Sequence, residues 1–187
     1  MTRRCPTVPN RARLSPFSAL AAPLVALALL GSAPAVAQDA EAAPAVQATG
    51  PSGLPLPRFV SLKSSSVNMR SGPGTDYPIS WTYQRRGWPV EITAEFEHWR
   101  KVRDRDGEEG WIHKDLLQGR RMAVTTEYAL LMRRPEPEAV PVARLEAGVL
   151  ARLERCEGAW CRISTERYDG WIERSMIYGV YPDEAVE

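Results

Sequence analysis

Two stretches decide the fold: GWPVEITAEFEHWRKVRDRDGEEGWIH (residues 87–113) and GVLARLERCEGAWCRISTERYDGWIE (residues 148–173). Setting Gly87 on Gly148 also sets Ile92 on Leu153, Trp99 on Trp160 and Val102 on Ile163, all at an offset of 61. With one residue deleted from the intervening loop, Gly110-Trp111-Ile112 falls on Gly170-Trp171-Ile172 at an offset of 60. Upstream, Met69-Arg70 aligns with Met132-Arg133 at an offset of 63, which implies that the adjoining loop is about two residues longer in the first copy. A Met-Arg, a Gly, a Trp, an aliphatic residue and a Gly-Trp-Ile recurring in one order mark an internal repeat of about 60 residues.

Working outward, the segments RFVSLK, SVNMR, ISWTY, PVEITAEF, WRKVR and EGWIH are short and rich in Val, Ile, Trp, Tyr and Phe. They alternate with SGPGTDYP, RRG and DRDGE, which are turn compositions. No stretch of ten residues carries a helical apolar stripe, and a single turn around residues 114–117 is the best helical candidate. The fold class is therefore all-β, in two units at residues 58–121 and 125–181.

Before the repeats, Arg3, Arg4, Arg11 and Arg13 precede the apolar run ALAAPLVALALL (residues 19–30) and Ala35-Val36-Ala37. The run is shorter than the ~20 residues that span a bilayer, and the small residues suit a signal peptidase. Residues 1–37 read as a secretory signal, and residues 38–57, rich in Ala and Pro, as a flexible tether. Removing the leader takes four arginines and no acid from a chain of 187 residues, leaving 20 basic and 23 acidic side chains. That balance argues against a general polyanion such as nucleic acid as partner, and no stable membrane insertion is expected after cleavage. The compartment is periplasmic or extracellular, and oxidising.

The oxidising compartment gives the cysteines a meaning. Cys5 leaves with the signal, while Cys156 and Cys161 flank a tight turn in RLERCEGAWCRI. Residues facing each other in an antiparallel pair lie within disulfide reach. A zinc site wants four ligands, and His98 and His113 belong to the other repeat. A Cys156–Cys161 disulfide is expected, and units this small need such a device. Pairing 156 with 161 sets Glu154 opposite Ile163, against the apolar alternation, so a bulge is expected nearby.

The run NMRSGPGTDYP, a Gly-initiated strand, a Trp-containing hairpin and GWIHKDLL resemble the bacterial SH3-like (SH3b) domain. The resemblance covers residues 59–119 closely. Residues 128–180 depart from it where MRRPEPEA stands in for MRSGPGTDYP, shortening the loop and removing its glycines. It implies two small, partly open five-stranded barrels in tandem, of a kind that serves mostly as non-catalytic attachment modules of the bacterial envelope. Fold alone licenses no chemistry.

Candidate binding residues come from composition. Residues 58–121 hold 12 basic and 9 acidic side chains, and residues 122–187 hold 8 and 12. Arg85, Arg86, Arg100, Lys101, Arg103 and Arg105 are candidates for an anionic partner, although solvated hairpin faces account for them more simply. Trp99, Trp111, Trp160 and Trp171 recur in both copies, as packing residues do. Tyr77, Trp81 and Trp88 have no counterpart in the second copy and lie in or after the Gly-Pro loop. They are the candidate ligand-stacking residues. In that loop Gly72 and Gly74 read as positions of positive φ.

Catalysis has little support. The expected disulfide removes the thiols from any Cys-His pair, Asp104, Asp106, Glu108 and Glu109 occupy a turn-rich loop, and no nucleotide, phosphate or metal motif occurs. No catalytic residue, metal or cofactor is assigned. The expected function is non-catalytic binding or scaffolding, directed at a cell-wall peptide or glycan. The alternative is a protein-interaction adaptor or sensor that regulates an envelope enzyme, with an envelope protein as partner. N-terminal sequencing of exported protein should return Gln38 or a residue close to it, and recovery of Met1 would remove the case for export.

Overall fold

The computed structural model describes residues 48–187. The expected signal over residues 1–37 and the first ten residues of the tether lie outside the described residues. The first unit begins with β1 (Ala48–Thr49) and β2 (Pro55–Leu56), then β3 (Arg58–Leu62), β4 (Val67–Arg70) and β5 (Ile79–Tyr83). It continues through β6 (Pro89–Phe96), β7 (Trp99–Arg103), β8 (Glu109–His113), a 3-10 turn at Lys114–Leu116 and β9 (Leu117–Gln118). The second comprises β10 (Met122–Thr125), β11 (Ala129–Met132), β12 (Pro141–Leu145), β13 (Leu150–Glu157), β14 (Trp160–Ser164) and β15 (Asp169–Glu173). It closes with a 3-10 turn at Arg174–Met176 and β16 (Ile177–Tyr178).

The two sheets have the same antiparallel order, β5-β4-β8-β7-β6-β3-β9 and β12-β11-β15-β14-β13-β10-β16. The all-β, tandem, partly open architecture is as expected. Each sheet counts seven strands rather than five, because the first hairpin contributes two short strands and the two residues after the 3-10 turn pair back on the opening strand.

Each core follows from strand alternation. Val67 and Met69 on β4, Ile92 on β6, Val102 on β7 and Ile112 on β8 meet in the first core. Ala129, Leu131, Leu153, Ile163 and Ile172 meet in the second. The long hairpins break pairing at matching places. Ile92 faces Val102 and Ala94 faces Lys101, so Thr93 is the extra residue. Leu153 faces Ile163 and Arg155 faces Arg162, so Glu154 is. That bulge resolves the conflict in the sequence: Leu153 keeps its apolar partner while Cys156 faces Cys161. The cysteines form the expected disulfide with Cα atoms 4.0 Å apart, closing a loop that chain entropy values at about 2 kcal/mol.

The first hairpin corrects the alignment. Arg70 pairs with Trp111 and Met132 with Trp171, so Met132 corresponds to Arg70 and Leu131 to Met69. The offset there is 62, not 63. A one-residue slip in a strand exchanges faces, and burial decides the matter: Leu131, not Met132, fills the core position of Met69. Consequently the loops at 71–78 and 133–140 are equal in length, and the second is not shortened.

A second correction concerns residues 48–57. They do not continue the tether, since β1 pairs with β2 and the hairpin is held to the first unit by Glu95. The Glu95 carboxylate accepts hydrogen bonds from Ser52 N and Ser52 Oγ, both at 2.8 Å. It also faces Arg58 Nη2 at 2.6 Å and Arg100 Nε at 3.1 Å, with its side chain 1% exposed. Composition suggested a tether because the partner that orders these residues lies some 40 positions away.

The two units touch through aromatic side chains. Phe59 packs against Tyr178 edge-on at 5.2 Å and against Tyr181 at 4.7 Å between ring centroids. Tyr181 Oη donates to Glu91 Oε1 at 2.8 Å, and Tyr178 Oη donates to the Arg103 carbonyl at 3.1 Å. Burial, reinforced by Glu91, raises both phenols above their ordinary pKa, so they remain neutral donors.

Burial alone would raise the Glu95 pKa, but hydrogen bonds from Arg58 and Ser52 outweigh it and hold the group at about 2. A depressed carboxylate contributes stability that is complete above its unfolded value of ~4.3 and is lost as pH falls toward the folded value. Thermal melts should therefore show a loss between about pH 4.5 and pH 2 that is smaller in Glu95→Gln, the remainder coming from other depressed carboxylates such as Glu184. That variant should itself be less stable at neutral pH by about 3 kcal/mol, because Arg58 and Arg100 lose their buried partner.

Candidate functional site

The loop at 71–78 leaves the sheet beside Gly110. A Cβ on Gly110 would lie 2.8 Å from the Arg70 carbonyl oxygen, and one on Gly170 would lie 2.6 Å from that of Met132. The recurring Gly-Trp therefore exists because the first hairpin crosses the sheet in backbone contact. Just beyond that crossing the copies diverge. In the first, Arg70 Nη1 donates to the carbonyls of Thr75 at 2.9 Å and Tyr77 at 2.6 Å. In the second, Met132 packs with Ala139 and Trp171 in a small apolar cluster, with Trp160 against it. Loops of one length are thus anchored by a guanidinium in one copy and by apolar burial in the other.

Gly72 and Gly74 are not at positive φ, contrary to the expectation from composition. They are small because the Tyr77 ring lies on them: a Cβ on Gly72 would collide with the ring, and one on Gly74 would approach it to 3.2 Å. The glycines seat the ring, which remains 47% exposed. Ile79 and Trp81 follow on β5, the terminal strand of its sheet, at 49% and 57% exposure. A bulge at Ser80 separates them, Met69 facing Trp81 and Arg70 facing Ile79. Sequence reasoning singled out Tyr77 and Trp81 but passed over Ile79, whose aliphatic character reads as core until the strand is known to be terminal.

Trp88 is placed differently. It is half-buried against the first core, its carbonyl accepts from Leu62 N at 3.0 Å, and Arg85 lies 5.7 Å from its ring centroid. Among the recurrent tryptophans, Trp171 is buried while Trp99, Trp111 and Trp160 are partly so.

Most of the candidate cations are occupied. Arg100 pairs with Glu95, Lys101 with Glu109 at 2.6 Å, Arg103 with Glu109 at 3.0 Å and Glu91 at 3.6 Å, and Arg105 with Asp106 at 3.4 Å. Apart from the buried Arg100–Glu95 pair these are largely exposed and stabilise little, but all of them cancel the field a polyanion would read. Only Arg85 and Arg86 of the six stand outside the ion pairs of the described residues.

The acidic loop is structural. Asp104 Oδ1 accepts from the backbone of Asp106 and Glu108, each at 3.0 Å, while its Oδ2 accepts from Tyr83 Oη at 3.1 Å. In the second copy Thr165 Oγ1 takes the same part, accepting from Arg167 N at 3.3 Å and Tyr168 N at 3.0 Å. Each side chain satisfies turn amides that would otherwise be unpaired. The second unit also has an apolar groove of about 260 Å³ lined by Tyr128, Leu130, Met132, Pro137, Trp160 and Met176. Sequence reasoning does not reach it, because MRRPEPEA reads as a shortened loop without glycines.

Two seven-stranded antiparallel sheets with 3-10 turns before their closing strands define a tandem of SH3-like binding modules. The sequence pattern described as the bacterial SH3 domain matches residues 63–119 and 125–179, and the chain belongs to that family. Among solved structures it is similar to NlpC2 of Trichomonas vaginalis, at 16% identity and a TM-score of 0.32, over 68% of this chain and 50% of that one. It is also similar to NlpC1 of the same organism, at 17% identity and a TM-score of 0.31, over 65% of this chain and 45% of that one. The chain thus spans about half the length of these structures. No curated protein matches it.

Because Tyr77 is exposed, its ring can swing aside if its seat is filled. Gly72→Ala should change thermal stability by less than about 1 kcal/mol while displacing the ring, and Tyr77 ring resonances in NMR spectra should shift relative to the wild type.

Proposed function

We propose that this chain is an exported, non-catalytic binding protein that recognises peptidoglycan or another cell-envelope component through the terminal strand of its first SH3 unit. One observation carries the reading: Tyr77, in a loop tied down by Arg70, and Ile79 and Trp81, on the terminal strand β5 that follows it, all stand exposed. Apolar side chains this large cost free energy in water unless a ligand covers them. A terminal strand further offers unpaired backbone groups to an extended peptide, and aromatic faces suit sugars. Because the loop is already ordered, little entropy is lost on binding. Trp88, half-buried against the first core with Arg85 over its ring, is left out of this surface. Export through the leader at residues 1–37 would bring the surface to the envelope.

A second reading, an adaptor that regulates an envelope enzyme, draws on the apolar groove beside Tyr128 and Leu130, whose composition suits a protein side chain better than a glycan. Sedimentation with purified sacculi separates the two, since an adaptor stays in the supernatant. Trp81→Ala should cost on the order of 2 kcal/mol of sacculus affinity, as for a central aromatic anchor, while leaving the melting temperature within a degree or two. A variant that still sediments like the wild type would remove the site from β5.

A further inference from the structure

Of the six cations singled out in the sequence, Arg85 and Arg86 face a cleft between the two units. Its volume is about 540 Å³, and the second unit contributes Gly148, Thr165, Glu166, Arg167 and Tyr168 to its lining. Arg86 also borders a neighbouring depression lined by Lys63. The ion pairs of the described residues involve none of Lys63, Arg85, Arg86 or Arg167, whereas those of the first unit consume Arg100, Lys101, Arg103 and Arg105.

We infer that this cleft is a second binding site, for the carboxylates of an acidic glycan chain. Arg85 is preorganised: its Nη1 donates to the Gly148 carbonyl at 2.9 Å, and its guanidinium lies over Trp88. Held by these contacts, it loses little side-chain freedom on meeting an anion. Arg86 and Arg167 are both exposed in this lining, one from each unit, and guanidinium forks match carboxylate geometry bidentately. Tyr168, 47% exposed in the same lining, offers a ring face of the kind sugars stack on. Glu166 selects among anions. A carboxylate within the lining repels a densely charged chain such as a polyphosphate, whereas a polymer with one charge per sugar can set its carboxylates on the arginines and its neutral face on Tyr168. The site requires both units at once, so it is absent from a single SH3 domain.

Polygalacturonate is the probe. The full chain should bind it in titration calorimetry at low ionic strength, with affinity falling as salt rises and no comparable binding to neutral dextran. The double variant Arg86→Gln/Arg167→Gln should lose roughly tenfold in affinity with an unchanged melting temperature, since both side chains are exposed. Arg85 is left intact because it also holds the Gly148 carbonyl. Trp81→Ala should bind polygalacturonate as the wild type does, which separates this cleft from the β5 surface. Failure of the wild type to bind, binding undiminished in the double variant, or tighter binding of polyphosphate would each overturn the assignment.

Discussion

The backbone approach at Gly110 and Gly170 is the constraint from which the rest of each unit follows. Only without a Cβ can β8 pass against the Arg70 carbonyl, and β15 against that of Met132. The approach joins β4 to β8 and β11 to β15, faces Met69 and Leu131 into the cores and sets the residue after each glycine opposite Arg70 or Met132. It also decides where the following loop begins. Arg70 reaches that loop's carbonyls only because β4 is pinned, and the Tyr77 ring in turn rests on the loop's two glycines.

Neither unit is large. Domains of about 60 residues bury a modest share of their surface and gain from every added contact. The first gains the 48–56 hairpin through Glu95, and the second gains the Cys156–Cys161 bond and the backbone bridge from Cys156 to Val186. Both gain the packing of Phe59 against Tyr178 and Tyr181. Those tyrosines combine an apolar ring with a satisfied hydroxyl, which makes the junction specific as well as buried. Docking in this way creates the arginine-lined cleft that neither unit has alone.

Divergence between the copies follows the same logic. A position that must receive backbone stays glycine, whereas one that must anchor a loop can be met by different chemistry. Arg70 and Met132 hold loops of equal length by hydrogen bonds to carbonyls and by packing on Trp171 respectively. Asp104 and Thr165 cap equivalent turns with a carboxylate and a hydroxyl. The polar anchor leaves Tyr77 outward and exposed. The apolar one draws Ala139, the corresponding residue, into a buried cluster, and so the exposed ring belongs to the first unit.

The sequence by itself determined the all-β class, the repeat, the SH3 resemblance, the disulfide pair and the bulge beside it. These are local facts: alternation, turn composition and the spacing of cysteines across a hairpin act over a few residues. Tertiary structure alone decided the register of the first hairpin, since Met69-Arg70 matches Met132-Arg133 by letter but burial places Leu131 in the core. It decided that residues 48–57 are ordered, that Gly72 and Gly74 serve a ring rather than a turn, and that Trp88 is half-buried while Tyr77 and Trp81 are exposed. It alone showed which arginines stand outside the ion pairs of the described residues. Most of these depend on a partner distant in the chain, and even the nearby Tyr77 ring is turned onto its glycines by the path of the backbone, which letters at neighbouring positions do not record.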